Sequence, residues 1–229
     1  MQYQFSRLVA GPALFSLSLG RPKVIGMENI PDSGPAILAS NHLSVIDSFY
    51  LPLMVERPVI FPAKAEYFEP TTLIGHLFAA YLKSTNQLRI DRDTARSATA
   101  TLDAAVGVLR RGDLFGFYPE GTRSPDGKLY RGRTGIGYLA LKSEAPVIPV
   151  AMFGTREMMP PGQRVPLPHR IRIVIGKPMD FGHLAGERAG KARQLIADDV
   201  MKGIAEISGQ EYVHEYASDV KERLASSQG

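Results

Sequence analysis

The sequence predicts a single α/β domain: a central mixed, largely parallel sheet flanked by helices, with a short N-terminal amphipathic segment in front. Three observations predict it. Apolar runs of strand length alternate along the chain with segments of helical periodicity, the pattern of strands joined by helical crossovers. The length of 229 residues suits one domain of this class. Fractions of 44% hydrophobic and 22% charged residues are those of an ordinary folded protein and exclude wholesale disorder. No internal repeat or low-complexity block interrupts the alternation.

The elements follow in order. Leu8 to Leu19 (LVAGPALFSLSL) is apolar but interrupted by Gly11 and Pro12. At about twelve residues it is shorter than the roughly 20 that a membrane-spanning helix needs. Arg7 is the first charged side chain and no A-x-A pattern follows, so no signal peptide is read. Phe5, Leu8, Val9, Phe15 and Leu19 share a stripe at helical spacing, which suits a helix lying on a membrane or one packed on the domain. Ser33-Gly34-Pro35 is a turn leading into a strand at Ala36 to Ala39. Ser44 to Leu51 reads as a helix stopped or kinked near Pro52. Pro58 to Ala63 reads as a strand, and Thr71 to Leu82 as a helix apolar nearly all round, hence buried or membrane-facing.

Gln87 to Ile90 is strand-like. Asp93 caps a helix in which Ala98, Leu102, Ala105, Val106 and Leu109 recur at helical spacing, with Arg110 and Arg111 in its last turn and Gly112 ending it. Leu114 to Tyr118 is a strand, Pro119 to Arg133 a long polar loop, and Gly135 to Ser143 a helix. Val147 to Phe153 and Ile171 to Ile175 are strands, with a Pro-rich loop from Pro160 to Pro168 between them. A last helical region runs from Glu187 towards Leu224, broken around Gly209. The expected division is an N-terminal segment 1–20, a main domain 21–208 and a C-terminal helical tail 209–229.

Composition removes several chemistries. The chain has no cysteine, so it has no disulfide framework, thiolate metal site or acyl-thiol enzyme intermediate. It contains no G-x-S-x-G elbow, H-E-x-x-H, Walker loop or complete G-x-G-x-x-G. Without an aromatic-interleaved basic patch, nucleic acid is not expected as a partner. His76, His169, His183 and His214 are scattered without ligand spacing, and His76 reads as a packed residue of an apolar helix. The net charge of +4 is mild and suits work near anionic lipid or phosphate.

Two loops follow apolar strands and carry unusual polar residues. The first is Asn41-His42-Leu43-Ser44-Val45-Ile46-Asp47. Inside one helix, His42 and Asp47 would lie about 140° apart and could not meet. With a helix starting at Ser44, the loop folds back, the Asp47 carboxylate takes the imidazole Nδ1–H, and Nε2 is left as a proton acceptor. Ser44-x-x-Asp47 also matches a capping box, which is compatible with that dyad. The second loop is Tyr118-Pro119-Glu120-Gly121-Thr122-Arg123-Ser124, with Lys128, Arg131 and Arg133 behind it. Gly121 permits close backbone approach, Thr122 offers a hydroxyl, and the cations suit a phosphate. Taken alone, the stretch also reads as a solvated turn around Ser124-Pro125-Asp126-Gly127. Lys64 follows a strand and can reach a phosphate or simply share solvent with Glu66. Asp91-Arg92-Asp93 is a D-x-D triplet open to a divalent metal, although Asp93 already serves as a cap.

These residues fall into four ordered groups. Asn41-His42-x4-Asp47, Arg89-Ile90-Asp91-Arg92, Tyr118 to Ser124, and Val147-Ile148-Pro149-Val150 resemble the four motifs of the glycerolipid acyltransferases, most closely the bacterial 1-acylglycerol-3-phosphate acyltransferases. Lys64 in AKAEYF resembles the family's lysine after the second strand. The resemblance spans residues 41 to 150 and makes 21–208 an acyltransferase domain. It implies that His42 takes the proton from a lysophospholipid hydroxyl while Asp47 orients the imidazole. It also implies direct attack on an acyl thioester, with no acyl-enzyme. Arg123, with Lys64 and Arg92, would hold the acceptor's phosphate, and Glu120, Gly121 and Thr122 would shape that pocket.

By the same resemblance no metal or cofactor is required, and acyl-CoA or acyl carrier protein serves as donor substrate. The protein would work as a peripheral or monotopic protein at the cytoplasmic face of a membrane, with Phe5 to Leu19 and the Thr71 to Leu82 helix dipping into one leaflet. Glycerol 3-phosphate, another lysophospholipid or a lipid glycoside as acceptor would leave the four motifs unaltered. A non-catalytic anionic-lipid binding module would be expected to have lost the dyad or the Arg123 loop. A D-x-D glycosyltransferase would depend on Asp91 and a divalent metal rather than on His42.

Overall fold

A computed structural model describes residues 11–12, 14–90, 95–163 and 165–227. Its centre is a six-stranded sheet. The strands are β1 (Lys23–Ile25), β2 (Ala36–Ser40), β3 (Val59–Ile60), β6 (Leu114–Phe117), β8 (Val147–Phe153) and β9 (Arg172–Ile175), in the order β1-β9-β8-β2-β6-β3. Every neighbouring pair is parallel except β8 with β9, so the sheet is mixed and largely parallel as expected. A separate parallel pair joins β4 (Pro62–Lys64) to β5 (Leu88–Ile90), and another joins β7 (Leu129–Tyr130) to β10 (Tyr212–Val213).

The central strands read as unbroken apolar runs because both faces are covered. Along β2, Ile37 and Ala39 enter one buried cluster while Ala36 and Leu38 enter the other. The first cluster is completed by helices α3 (Ala95–Arg110), α4 (Gly135–Ser143) and α6 (Ala189–Ser208). The second takes α1 (Asp47–Met54) together with Leu14, Phe15 and Leu17. Of the N-terminal stripe, Phe5, Leu8 and Val9 lie outside the described residues. Phe15 packs against the core and Leu19 is exposed. Leu14 is anchored there too, its carbonyl accepting from the Tyr50 hydroxyl at 2.7 Å.

Three local expectations are corrected. Helix α1 begins at Asp47 rather than Ser44 and runs two residues past Pro52. An interior proline costs about 3 kcal/mol, whereas each fully buried aliphatic side chain returns about 1.5–3 kcal/mol. Leu51, Leu53 and Met54 are all buried, so the helix survives its proline. The stretch from Pro119 to Arg133 is not wholly loop, because β7 lies within it, fully buried and paired to β10. Helix α2 (Leu73–Ser84) is capped by Thr72, whose Oγ1 accepts from Gly75 N at 3.1 Å. It buries Ala79 and Leu82 and leaves Leu73 exposed. His76 on this helix is exposed, not packed, its Nδ1 lying 2.8 Å from the Thr72 carbonyl.

The short helix α5 (Thr155–Met158) follows β8. After α6, Gly209 adopts φ +67° and ends the helix, as a residue without Cβ does readily. The chain then forms β10 and a last helix, α7 (Ala217–Ser226). This tail packs on the main domain: Ala217, Val220 and Val213 surround the buried Tyr130 ring. Among the described residues, no helix is long and apolar enough to cross a membrane.

Candidate active site

The two loops singled out by sequence leave β2 and β6, adjacent parallel strands, at their carboxyl ends, the usual place for a site in such sheets. They are joined by two hydrogen bonds donated by main-chain N–H groups. Ser124 N–H donates to the His42 carbonyl at 2.7 Å, and His42 N–H donates to Glu120 Oε2 at 3.1 Å.

The dyad forms. His42 Nδ1 lies 3.0 Å from Asp47 Oδ2. The same oxygen accepts the backbone N–H groups of Leu43 and Ser44, each at 2.8 Å. The later start of α1 explains this geometry. Asp47 is its first residue, so the carboxylate faces back along the loop and gathers the amides that precede the helix. Half of the expected capping box is therefore present. The Ser44 hydroxyl instead donates to the Met159 carbonyl at 2.8 Å, and the capping position itself is Ile46.

The imidazole lies flat on the Tyr118 ring, with centroids 3.8 Å apart and planes 8° from parallel. Tyr118 in turn stacks on Phe61 at 5.3 Å. Gly116 makes room for that column, since a Cβ there would fall 2.1 Å from the Phe61 ring. The Tyr118 hydroxyl and Ser48 Oγ share a hydrogen bond of 2.8 Å. Burial pushes the His42 imidazole below its ordinary pKa of 6.5; the Asp47 hydrogen bond and charge oppose this, and the Arg123 and Lys221 charges reinforce it. The ring is thus held neutral near pH 7, with Nδ1 engaged and Nε2 available as a base.

Glu120 is buried, with its second oxygen accepting Tyr130 N–H at 3.0 Å. Burial raises its carboxyl to about 7, against the pull of those two backbone bonds. Its part is to fasten the His42 loop to β7. Gly121 adopts φ +75° on the open side, where a Cβ would press on the Arg133 side chain at 3.1 Å. Arg123 is exposed beside it. Thr122 Oγ1 accepts a 2.7 Å bond from Lys221 Nζ of α7. The Ser124–Gly127 stretch is the turn its residues suggest, closed by Gly127 N–H on Ser124 Oγ at 2.9 Å.

Lys64 stands at the end of β4, half-exposed, with Nζ 4.0 Å from Glu66. Among the described residues, no ion pair joins it to the His42 loop. Arg92 and the D-x-D triplet lie outside the described residues. Among the described residues, no cluster of three or more histidine and carboxylate side chains is placed to hold a metal.

Sequence reasoning missed the anchors behind the dyad. The Asn41 amide is buried, donating to the Met152 carbonyl at 3.2 Å and to Gln210 Oε1 at 2.7 Å while accepting Met152 N–H at 2.8 Å. Asn41 stood at the head of the first motif, but nothing along the chain pairs it with a residue 169 positions away. Lys221 carried no signal either, since it sits in the charged run Lys221-Glu222-Arg223 that reads as a solvated face.

A His/Asp dyad and an adjoining cationic loop at the ends of parallel strands put a proton acceptor beside groups suited to an anion, the arrangement of a candidate enzyme site. A family model described as acyltransferase matches residues 21–153, and the chain belongs to that family. Among its relatives is the chloroplastic 1-acyl-sn-glycerol-3-phosphate acyltransferase LPAT1 of Arabidopsis thaliana, 32% identical over 177 residues, which are 76% of this chain and 48% of that protein. The Pseudomonas aeruginosa 1-acyl-sn-glycerol-3-phosphate acyltransferase is 30% identical over 169 residues, 73% of this chain and 61% of that one. The crystal structure of the 1-acyl-sn-glycerophosphate acyltransferase PlsC from Thermotoga maritima superimposes with a TM-score of 0.68 at 27% identity, covering 90% of this chain and 79% of that one. The chain spans about half the length of the chloroplast relatives it matches.

Proposed function

We propose that this protein transfers an acyl chain from acyl-CoA or acyl carrier protein to the sn-2 hydroxyl of 1-acylglycerol-3-phosphate, forming phosphatidic acid and a free thiol. One observation carries the reading: His42 Nδ1 is held 3.0 Å from Asp47 Oδ2 by a carboxylate that also grips two loop amides. That arrangement fixes the tautomer and directs Nε2 to the substrate. Nε2 takes the hydroxyl proton as the oxygen attacks the thioester carbonyl carbon. The tetrahedral intermediate collapses, the C–S bond breaks, and the departing sulfur receives the proton from the imidazolium. Asp47 stabilises that imidazolium throughout. General-base catalysis supplies about 10²–10⁴-fold, and positioning of the two substrates the remainder.

Arg123 is assigned to the acceptor phosphate, with Gly121 and Thr122 shaping the approach to it. Lys64 and Arg92 take the same role on the strength of the family resemblance. The relatives' names and the lipid acceptor support work at a membrane surface, and we place the protein at the cytoplasmic face as a peripheral or monotopic enzyme. The test is thiol release from palmitoyl- and oleoyl-CoA with lysophosphatidate in detergent micelles, for wild type and His42→Ala. Turnover that requires lysophosphatidate and collapses in the variant is the expected result. Retention of most of the rate by His42→Ala would refute the dyad mechanism.

A further inference from the structure

Helix α7 reaches the candidate site from the far end of the chain. It is held by Ala217 and Val220, both buried against Tyr130, and by an Arg133 Nη2 bond to Ser218 Oγ at 2.8 Å. Lys221 lies one turn beyond Ala217, on the same side of the helix. Its ammonium is half-buried and donates to Thr122 Oγ1 at 2.7 Å. Among the described residues, no ion pair involves Lys221 or Arg123. Glu120 attracts the ammonium from a distance but forms no ion pair with it; its oxygens accept the His42 and Tyr130 amides, and burial raises its carboxyl to about 7, so its charge is incomplete near neutrality.

The fold thus holds two like charges together beside the dyad, where each makes the other less favourable. A lysine free to choose would turn to solvent. The hydrogen bonds left over are all of one kind. Thr122 Oγ1 accepts from Lys221 and so has its own hydrogen to give, the ammonium has two further N–H groups, and Arg123 adds a guanidinium fork. A cluster of donors with no acceptor, carrying two positive charges, complements a phosphate monoester dianion.

We propose that Lys221 is a further cation of the acceptor-phosphate subsite, beside Arg123, and that it makes the enzyme prefer phosphorylated over uncharged lipid acceptors. The proposal rests on the acyltransferase reading above. By it, the C-terminal helix is part of the binding site for the acceptor, and the phosphate lies between Arg123 and Lys221 with the Thr122 hydroxyl beneath it.

The test compares wild type, Lys221→Met and Lys221→Arg on lysophosphatidate and on 1-monoacylglycerol. Lys221→Met should raise KM for lysophosphatidate at least tenfold with kcat within about threefold. Lys221→Arg should recover most of the loss, and turnover of 1-monoacylglycerol should change by no more than about threefold in either variant. No rise in KM for lysophosphatidate, or equal losses on both acceptors, would overturn the proposal by making Lys221 a mere tether for α7. A second measurement does not need turnover: acetylation of Lys221 in the wild-type protein, read by mass spectrometry with exposed Lys177 as reference. Inorganic phosphate should protect Lys221 relative to Lys177 when compared with chloride at equal ionic strength. If wild type fails to acylate lysophosphatidate, the acyltransferase reading falls and protection alone decides for or against a phosphate site at Lys221.

Discussion

Two regions of the molecule carry cations near strand ends, and the structure treats them in opposite ways. Around the dyad, Arg123 and Lys221 form no ion pair among the described residues and are backed by a buried network of amides, rings and Glu120. Around the β4–β5 pair, Arg89 is ion-paired with Glu69, and Lys64 sits 4.0 Å from Glu66. In sequence the four basic residues look alike. What separates Arg89 from Arg123 and Lys221 is the neighbour that each is given: a charge already matched on the surface gains little from a ligand, while an unmatched one next to a buried base is ready for an anion; Lys64, with only a distant approach to Glu66, stands between the two.

The contrast can be broken most sharply at the base itself. His42→Ala should lower thiol release by about 10²–10⁴-fold, with urea denaturation checking that the fold survives loss of the ring stacked on Tyr118. A smaller loss would move the chemistry away from this loop. Next come the cations. A charge-assisted hydrogen bond is worth about 1.5–3 kcal/mol, so Arg123→Ala should lower kcat/KM for lysophosphatidate by about 10–100-fold. Arg89→Ala, already paired with Glu69, should stay within about twofold. Lys64→Ala decides how far the contrast extends: a loss equal to that of Arg123→Ala would show that the 4.0 Å approach to Glu66 opens when the acceptor binds.

The carboxylates differ in the same way. Glu120→Gln turns an amide NH₂ towards one of two buried backbone N–H groups and should cost about 1–3 kcal/mol of stability in urea denaturation. Glu69→Gln, on an exposed pair, should cost less than about 1 kcal/mol. Glu120 also leaves a mark on pH dependence. Its folded pKa is raised to about 7 from 4.5, so the folded state binds the proton more tightly than the unfolded chain. The stability this confers is full below 4.5 and is lost as pH rises through 7. In Glu120→Gln that decline with pH should be absent, and an unchanged slope would assign it to another group.

The smallest expected effect concerns the rate profile. Because burial lowers the His42 pKa below 6.5, the neutral base persists on the acid side of neutrality. The acid limb of kcat/KM should have its midpoint below 6.5, with little change between pH 7 and 8. A midpoint above 7 would mean that the Asp47 contact outweighs burial. Stability has the matching sign: the His42 contribution is present above 6.5 and is lost as pH falls through the lowered folded value.

The parts of this molecule legible in its sequence are those governed by short-range patterns. The strands at Ala36, Leu114 and Val147 announced themselves because burial on both faces leaves no polar alternation to disguise them. The helices over Gly135 to Ser143 and after Glu187 followed from their periodicity, and the residues of the dyad from a spacing that only a folded-back loop can satisfy. What stayed hidden depends on distance along the chain. Strands β7 and β10 are two residues each, embedded in polar sequence, and take shape only by pairing with each other across some eighty positions. Lys221, Gln210 and Asn41 are ordinary residues locally; their meaning lies in partners that no window of sequence contains. Pro52 misled for a different reason, since its local penalty was overruled by burial of the residues around it.

That long-distance clasp also sets an order of events during synthesis. The Gln210 amide bonds Asn41 at 2.7 Å and the Gly127 carbonyl at 2.6 Å, and the Glu211 carbonyl accepts from Leu129 N–H at 2.9 Å. All six strands of the main sheet are translated before these residues. A nascent chain can therefore carry His42 and Asp47 on a formed sheet while its site is still unfastened. At about 5–20 residues per second, the ribosome needs roughly 1–4 s to deliver residues 209–229. Until then the catalytic loops wait for their final fixings, and truncation in that stretch would yield a folded sheet with a loosened active site.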